Sequence, residues 1–222
     1  MGTRPVASEG ESQPGPLTMT RRVVLSGGVV GVAGMATSPA IGAPRRSHPR
    51  RATTFVNPRS LTPFADRLPV PPMWWGSMVA ATGLTMAEGR HQFHRHLRPS
   101  RTWGYGGLPY LGPTIEVAAG QPVSFEAHND LGPHPLGVDE ALHGAAALDE
   151  RNPRTSLHLH GGYVAAEFDG HPEDAFRPGE SQEFAYPNDQ QAGTTWYPDL
   201  ALGITRLNVY AGLAGYYMIR DA

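Results

Sequence analysis

The chain has 222 residues, no cysteine, a net charge of -2 and a sequence pI near 6.5. That balance argues against a nucleic-acid partner, and the missing cysteine removes disulfides and thiolate metal sites together. Its 27 glycines and 22 prolines, with no long amphipathic helical pattern, favour a single domain of short strands between turns.

Residues 1–43 read as a twin-arginine signal peptide with a polar N-terminal extension. Thr20-Arg21-Arg22-Val23-Val24-Leu25 carries the arginine pair, although Val24 stands where phenylalanine is usual. An apolar run over residues 23–36 follows, too short to span a bilayer and of signal-peptide length. Ala40-Ile41-Gly42 supplies small residues for cleavage, with Ala43 as the new terminus, and Met19 offers an alternative start. The expectation is export by the twin-arginine route to the periplasm or the exterior, with no membrane span in the mature form. Arg45-Arg46 and Arg50-Arg51 read as a solvated mature terminus rather than a binding patch.

Residues 44–79 are proline-rich and weakly patterned, and are expected to lie as an arm on a domain formed by residues 80–222. Within that domain the first strand is predicted over 84–93. The next two are predicted over 114–117 and 122–129, with Val123, Phe125 and Ala127 facing one way. Residues 131–154 read as a long loop. Short strands are predicted over 182–186 and 194–197, a helical turn over 201–209 and a closing strand over 215–220. The expected fold is all-β, a Greek-key β-sandwich or barrel.

The strongest chemical signal is Thr155-Ser156-Leu157-His158-Leu159-His160-Gly161. Leu157 and Leu159 alternate with His158 and His160, as on a half-buried strand, which puts both imidazoles on one face roughly 7 Å apart. Such a pair suits two neighbouring metals, or one metal with help from elsewhere, and neutral imidazole suits copper, zinc or iron. The bare motif fits a solvated strand face equally well. Other clusters are weaker. His91, His94 and His96 crowd one strand, where only His94 and His96 share a face, and read as structural. Glu167, Asp169, Glu173 and Asp174 lack calcium-loop spacing, and Gly104-x-Gly106-Gly107 lacks the strand-to-helix setting of a phosphate loop. A cupin is the rival metal fold, but Glu167 lies too far from His160 and no third histidine follows at the right place.

Several stretches resemble, in order and spacing, the first cupredoxin domain of bacterial laccase-type multicopper oxidases, the group of spore-coat laccase, phenoxazinone synthase and bilirubin oxidase. They include Arg67-Leu68-Pro69-Val70-Pro71, His91-Gln92-Phe93-His94-Arg95, Thr102-Trp103-Gly104-Tyr105 and Gly112-Pro113-Thr114-Ile115-Glu116-Val117. Thr155 to Gly162, Asp169-Gly170-His171-Pro172-Glu173, Tyr186-Pro187-Asn188 and Thr205-Arg206-Leu207-Asn208-Val209-Tyr210-Ala211-Gly212 continue the series. The resemblance implies a cupredoxin (plastocyanin-like) fold. It also implies a copper enzyme that oxidises phenols or aminophenols and reduces oxygen to water at a trinuclear cluster.

By position the resemblance assigns His158 to the type 2 copper and His160 to a type 3 copper. The family's second first-domain pair reads Trp-Tyr-His-Asp-His. Here Trp196, Tyr197 and Asp199 are kept, but Pro198 and Leu200 replace the two ligands. No histidine follows His171, and no cysteine exists for a type 1 copper. The chain also ends where the resemblance places the end of the first domain. The expectation is an isolated chain that holds at most one copper loosely and does not turn over. The alternative is a non-catalytic cupredoxin-like binding or assembly module. Self-association, or binding to separately encoded cupredoxin domains, is expected in either case.

Overall fold

The computed structural model describes residues 56–221, so the expected leader lies outside the described residues. Eight strands form two four-stranded sheets. The first sheet joins β1 (Met73–Trp75), β4 (Thr114–Ala118), β8 (Ala214–Arg220) and β7 (Gly193–Pro198), in that order. The second joins β3 (Ser100–Tyr105), β2 (Leu84–His91), β5 (Val123–Asp130) and β6 (Ser181–Tyr186). Three pairs are parallel (β1 with β4, β4 with β8, β2 with β5) and three antiparallel, and the chain crosses between sheets several times.

Period-2 burial drives this arrangement. On β5, Val123, Phe125 and Ala127 point inward, while Ser124, Glu126 and Asp130 are exposed. Leu84 and Met86 on β2, Ile115 and Val117 on β4, and Tyr217 and Ile219 on β8 fill the same core. Eight aromatic side chains lie there, among them Trp103, Tyr105, Phe184 and Tyr197. The hydroxyl of Tyr197 donates to the Pro113 carbonyl at 2.5 Å, and that of Tyr217 to Asn188 Oδ1 at 2.8 Å, whereas the Trp103 Nε1 and the hydroxyls of Tyr105 and Tyr186 are buried without a partner. A second, smaller cluster of Ala201, Ile204 and Leu207 packs with Leu136, Val138 and Ala145, anchoring the long loop under α2 (Thr205–Ala211).

Several expectations shift. β1 and most of α1 (Gly76–Thr82) fall inside the stretch read as an arm, yet β1 is hydrogen-bonded to β4 and Val79 is fully buried. Three strand residues after two prolines, and a seven-residue helix in which Val79 is the one large side chain fully buried, give no periodic signal. Residues 56–72 ahead of them are largely exposed, as an arm should be. β3 was visible only as the motif Thr102-Trp103-Gly104-Tyr105, not as a strand. β2 stops at His91. His94 and His96 therefore sit in the following turn, their rings edge-on at 5.0 Å, not on a strand face. The turn expected over 201–209 is helical only from Thr205. No helix among the described residues is long and apolar enough to cross a membrane.

The outer faces of the two sheets differ in character. That of the second sheet is polar, with Glu126 opposite Glu183 and His128 opposite Ser181. The first sheet turns Met73, Trp75, Trp196 and Tyr216 outward, with Trp75 60 % and Tyr216 58 % exposed, and Trp196 directly opposite Tyr216.

Candidate metal-binding face

Residues 155–160 are extended but belong to neither sheet as a regular strand. They run antiparallel to residues 196–200, bridged at Leu157 with Asp199 and at His160 with Trp196. The backbone N–H of His160 donates to the Trp196 carbonyl at 2.9 Å, that of His158 to Pro198 at 3.2 Å, and that of Leu200 to Ser156 at 2.8 Å. This register puts His158 opposite Pro198 and Ser156 opposite Leu200. Side chains two apart share a face. His158, His160, Pro198 and Leu200 therefore lie on one face of a short two-stranded ladder. Leu157 and Leu159 turn the other way into the core, each 1 % exposed. The alternation expected from sequence is present without a sheet strand to carry it.

His158 is fixed in one tautomer. Its Nδ1 lies 2.6 Å from the Asp169 carbonyl oxygen, which can only accept, so Nδ1 carries the proton and Nε2 keeps its lone pair. The Asp169 carboxylate adds a longer contact, Oδ1 at 3.4 Å. The loop reaches His158 because residue 170 is glycine. Its φ is +70°, and a Cβ there would stand 1.8 Å from the Leu157 carbonyl oxygen. His160 is exposed, with its ring edge-on to Trp196 at 5.7 Å and to His158 at 5.6 Å.

Behind the face lies a buried polar chain. Asp199 accepts from the N–H of Ser156 (2.9 Å), from that of Ala201 (3.1 Å) and from Asn208 Nδ2 (2.8 Å). Asn208 Oδ1 accepts from His134 Nε2 at 3.1 Å, and His134 Nδ1 accepts from the Leu136 N–H at 3.0 Å. Burial pushes Asp199 up to about 7 against those three donors and the nearby Arg154 charge. Burial likewise lowers His134 to about 4. Asp149, also fully buried, is held low despite burial by a two-pronged pair with Arg154 at 2.9 and 2.8 Å. This network ties the long loop, α2 and the ladder together. Sequence reading missed it, except for Asp199 as a kept motif residue. The available signal was polar Asp199 and Asn208 standing within otherwise apolar runs.

The donor set decides what the face can hold. The Nε2 of His158, freed by its Nδ1 contact, fits an imidazole-bound copper. Pro198 and Leu200 offer no lone pair. Among the described residues no group of three or more histidine, aspartate, glutamate or cysteine side chains is placed to hold a metal ion. The face therefore fits part of a copper site and does not fit a three-copper cluster. His91, stacked on Tyr110 at 5.1 Å, belongs to a separate surface cluster with Phe93. Glu167 lies in a 3-10 turn, Ala166–Phe168, and of the acidic cluster only Asp169 reaches the histidines.

Comparison with known proteins agrees with this anatomy. A family model described as multicopper oxidase matches residues 147–222. The chain is 39% identical over 176 residues to a laccase of Bacillus subtilis, covering 73% of this chain and 34% of that protein. It is 30% identical to a bilirubin oxidase of Albifimbria verrucaria, covering 83% of this chain and 29% of that protein. A laccase-like multicopper oxidase from Ochrobactrum sp. superposes with a TM-score of 0.55 at 25% identity, over 70% of this chain and 30% of that one. The fold is thus of cupredoxin type, and the chain spans about a third of the length of the curated relatives it matches. Over that third, the chain belongs to the laccase-type multicopper oxidase family.

Proposed function

We propose that this chain corresponds to the first cupredoxin domain of a copper oxidase acting on phenols or aminophenols with reduction of oxygen to water, and that the chain by itself performs no turnover. One observation carries this reading. Of the four ligand positions on the ladder face, His158 and His160 keep an imidazole, while Pro198 and Leu200 present hydrocarbon. Copper, when bound here, supplies redox capacity. The chain's residues do the rest: Asp169 holds the His158 proton on Nδ1, and the Asp199 hydrogen bonds keep the two ladder segments in register. A single copper held by His158 and His160 is bound weakly, since two imidazoles fill half of a four-coordinate shell. Elemental analysis for copper beside oxygen uptake with a phenolic substrate tests this. Less than one copper per chain and no uptake is the expected result; sustained turnover without free copper overturns it.

A second reading, a non-catalytic binding or assembly module, draws on the outward Trp75, Trp196 and Tyr216, which a self-sufficient sandwich would not leave exposed together. Its partner is a second copy or a separately encoded cupredoxin domain. Export by the twin-arginine route belongs to both readings. An Arg21→Lys, Arg22→Lys variant is expected to stay in the cell, and secretion at the parent level refutes the route.

A further inference from the structure

We propose that the corner where the arm is fastened to the β2–β3 turn docks on an anionic phospholipid surface, with Phe64 reaching the hydrocarbon and the arginines around it meeting lipid phosphates.

Polar groups fasten the arm to the turn that joins β2 to β3. His94 Nε2 donates to the Thr62 carbonyl at 3.0 Å. The backbone N–H and the Nε of Arg95 donate to the two carboxylate oxygens of Asp66, at 2.9 and 3.0 Å. The Arg95 guanidinium also donates to the Ala65 carbonyl. The fastened segment leaves its own large hydrophobic side chain unused. Phe64, between Thr62 and Asp66, is 103 % exposed. Its φ of +57° lies in the left-handed region, which costs a phenylalanine free energy and persists only where its surroundings impose it. Leu68 is 86 % exposed, and Phe93 in the turn is 49 % exposed. An arm tied down by polar contacts while it holds a phenyl ring wholly in water presents that ring to something outside the chain.

Charge selects the partner. Residues 57–101 carry six arginines and two acids, Asp66 and Glu88, which pair with Arg95 and Arg101. Arg59, Arg67, Arg90 and Arg98 make no ion pair among the described residues. Arg90 stands directly opposite Arg101 on the β2–β3 ladder, a like-charge opposition that an anion above it would relieve. Residues 102–221 reverse the balance, with sixteen acids against five arginines. An anionic surface is therefore drawn to this corner and repelled by the remainder, which orients the molecule against it. A soluble polyanion would satisfy the arginines and leave Phe64 and Leu68 in water. An apolar protein groove would take the ring and leave four cations unpaired. A phospholipid surface supplies phosphate and hydrocarbon together, and the guanidinium fork matches phosphate oxygens two at a time.

Flotation of the purified full chain with vesicles of phosphatidylglycerol, and in parallel with vesicles of phosphatidylcholine, tests this. The expected result is partition onto phosphatidylglycerol at least about tenfold above phosphatidylcholine, abolished by high salt. Arg67→Glu with Arg98→Glu, and separately Phe64→Ser, should each lower that partition about tenfold or more. All three positions are exposed and outside the core, so the variants should keep the parent's far-UV spectrum. Because the chain has no cysteine, Phe64→Cys can carry a single polarity-sensitive dye, whose emission should shift to the blue on vesicle binding. The same dye at Glu183→Cys, on the polar face of the second sheet, should not shift. No partition onto phosphatidylglycerol, or equal partition onto both lipids, overturns the proposal. Partition that neither variant lowers, as an apolar leader would give, also overturns it. So does binding of soluble polyphosphate without binding of vesicles. A doubled mass in sedimentation velocity without lipid, lost in Phe64→Ser, would make a second copy the occupant and overturn it too.

Discussion

His134 and Asp199 stand at two ends of one buried hydrogen-bonded chain through Asn208, and their protonation on folding is opposite in sign. His134 is near 4 when folded and 6.5 when unfolded, so between those values only the unfolded chain takes the proton, and stability rises with pH. Asp199 is near 7 when folded and 3.8 when unfolded, so its stabilisation is complete below the lower value and is lost as pH climbs through the higher one. Each slope is about 1.4 kcal/mol per pH unit. From these two groups, the parent should be nearly level between about pH 4 and 6.5, where the slopes cancel. Asp199→Asn should gain stability with rising pH across that range, and His134→Gln should lose it. Urea unfolding at a series of pH values reads all three; parallel profiles would refute the pairing. Gly170 makes a second case at this scale. Alanine there, at φ +70° and 1.8 Å from a carbonyl oxygen, should cost on the order of 3 kcal/mol. It should also release His158 from its fixed tautomer, visible in the nitrogen shifts of that ring.

The ladder of 155–160 against 196–200 is the element on which the proposed copper binding rests, and proline weakens it. Pro198 has no N–H to return to His158, so that rung has one hydrogen bond instead of two. Replacing Pro198 and Leu200 together by histidine puts four imidazoles on one face of one chain. Copper uptake should rise to at least one ion per chain by elemental analysis, while phenol oxidation stays absent for want of an electron-uptake copper. Much of this scale was legible beforehand. β4, β5, β6, β7 and β8 fall within a residue or two of their expected bounds, because each sets hydrophobic side chains against one core and so displays its period. β1 was illegible, since Met73–Trp75 is held by parallel pairing to β4, a contact 41 positions distant that no local pattern encodes. At the candidate site, His158, His160, Pro198 and Leu200 stood out in the sequence as motif positions. Their common face did not, because it depends on the pairing of segments far apart in sequence, nor did the role of Asp169, which acts through its backbone carbonyl.

Across the whole molecule, one outer sheet face is charged and the other is aromatic. Trp75 shares a row with Glu116 and Met218, and Trp196 meets Tyr216. Trp75→Glu with Tyr216→Lys should leave the core untouched and lower the binding of a hydrophobic dye severalfold; unchanged dye binding would place the sticky surface elsewhere. The order of the strands has a consequence in time. Among the described residues β8 is the last strand in sequence, yet it sits inside its sheet, between β4 and β7. Until residues 214–220 leave the ribosome, β4 and β7 have no strand to join them, and the apolar faces of Ile115, Val117 and Tyr197 wait without their cover. The nascent chain must therefore stay soluble while half of its sandwich is open. Loop closure across so many residues makes its folding slow, a window in which a chaperone has the chain largely to itself.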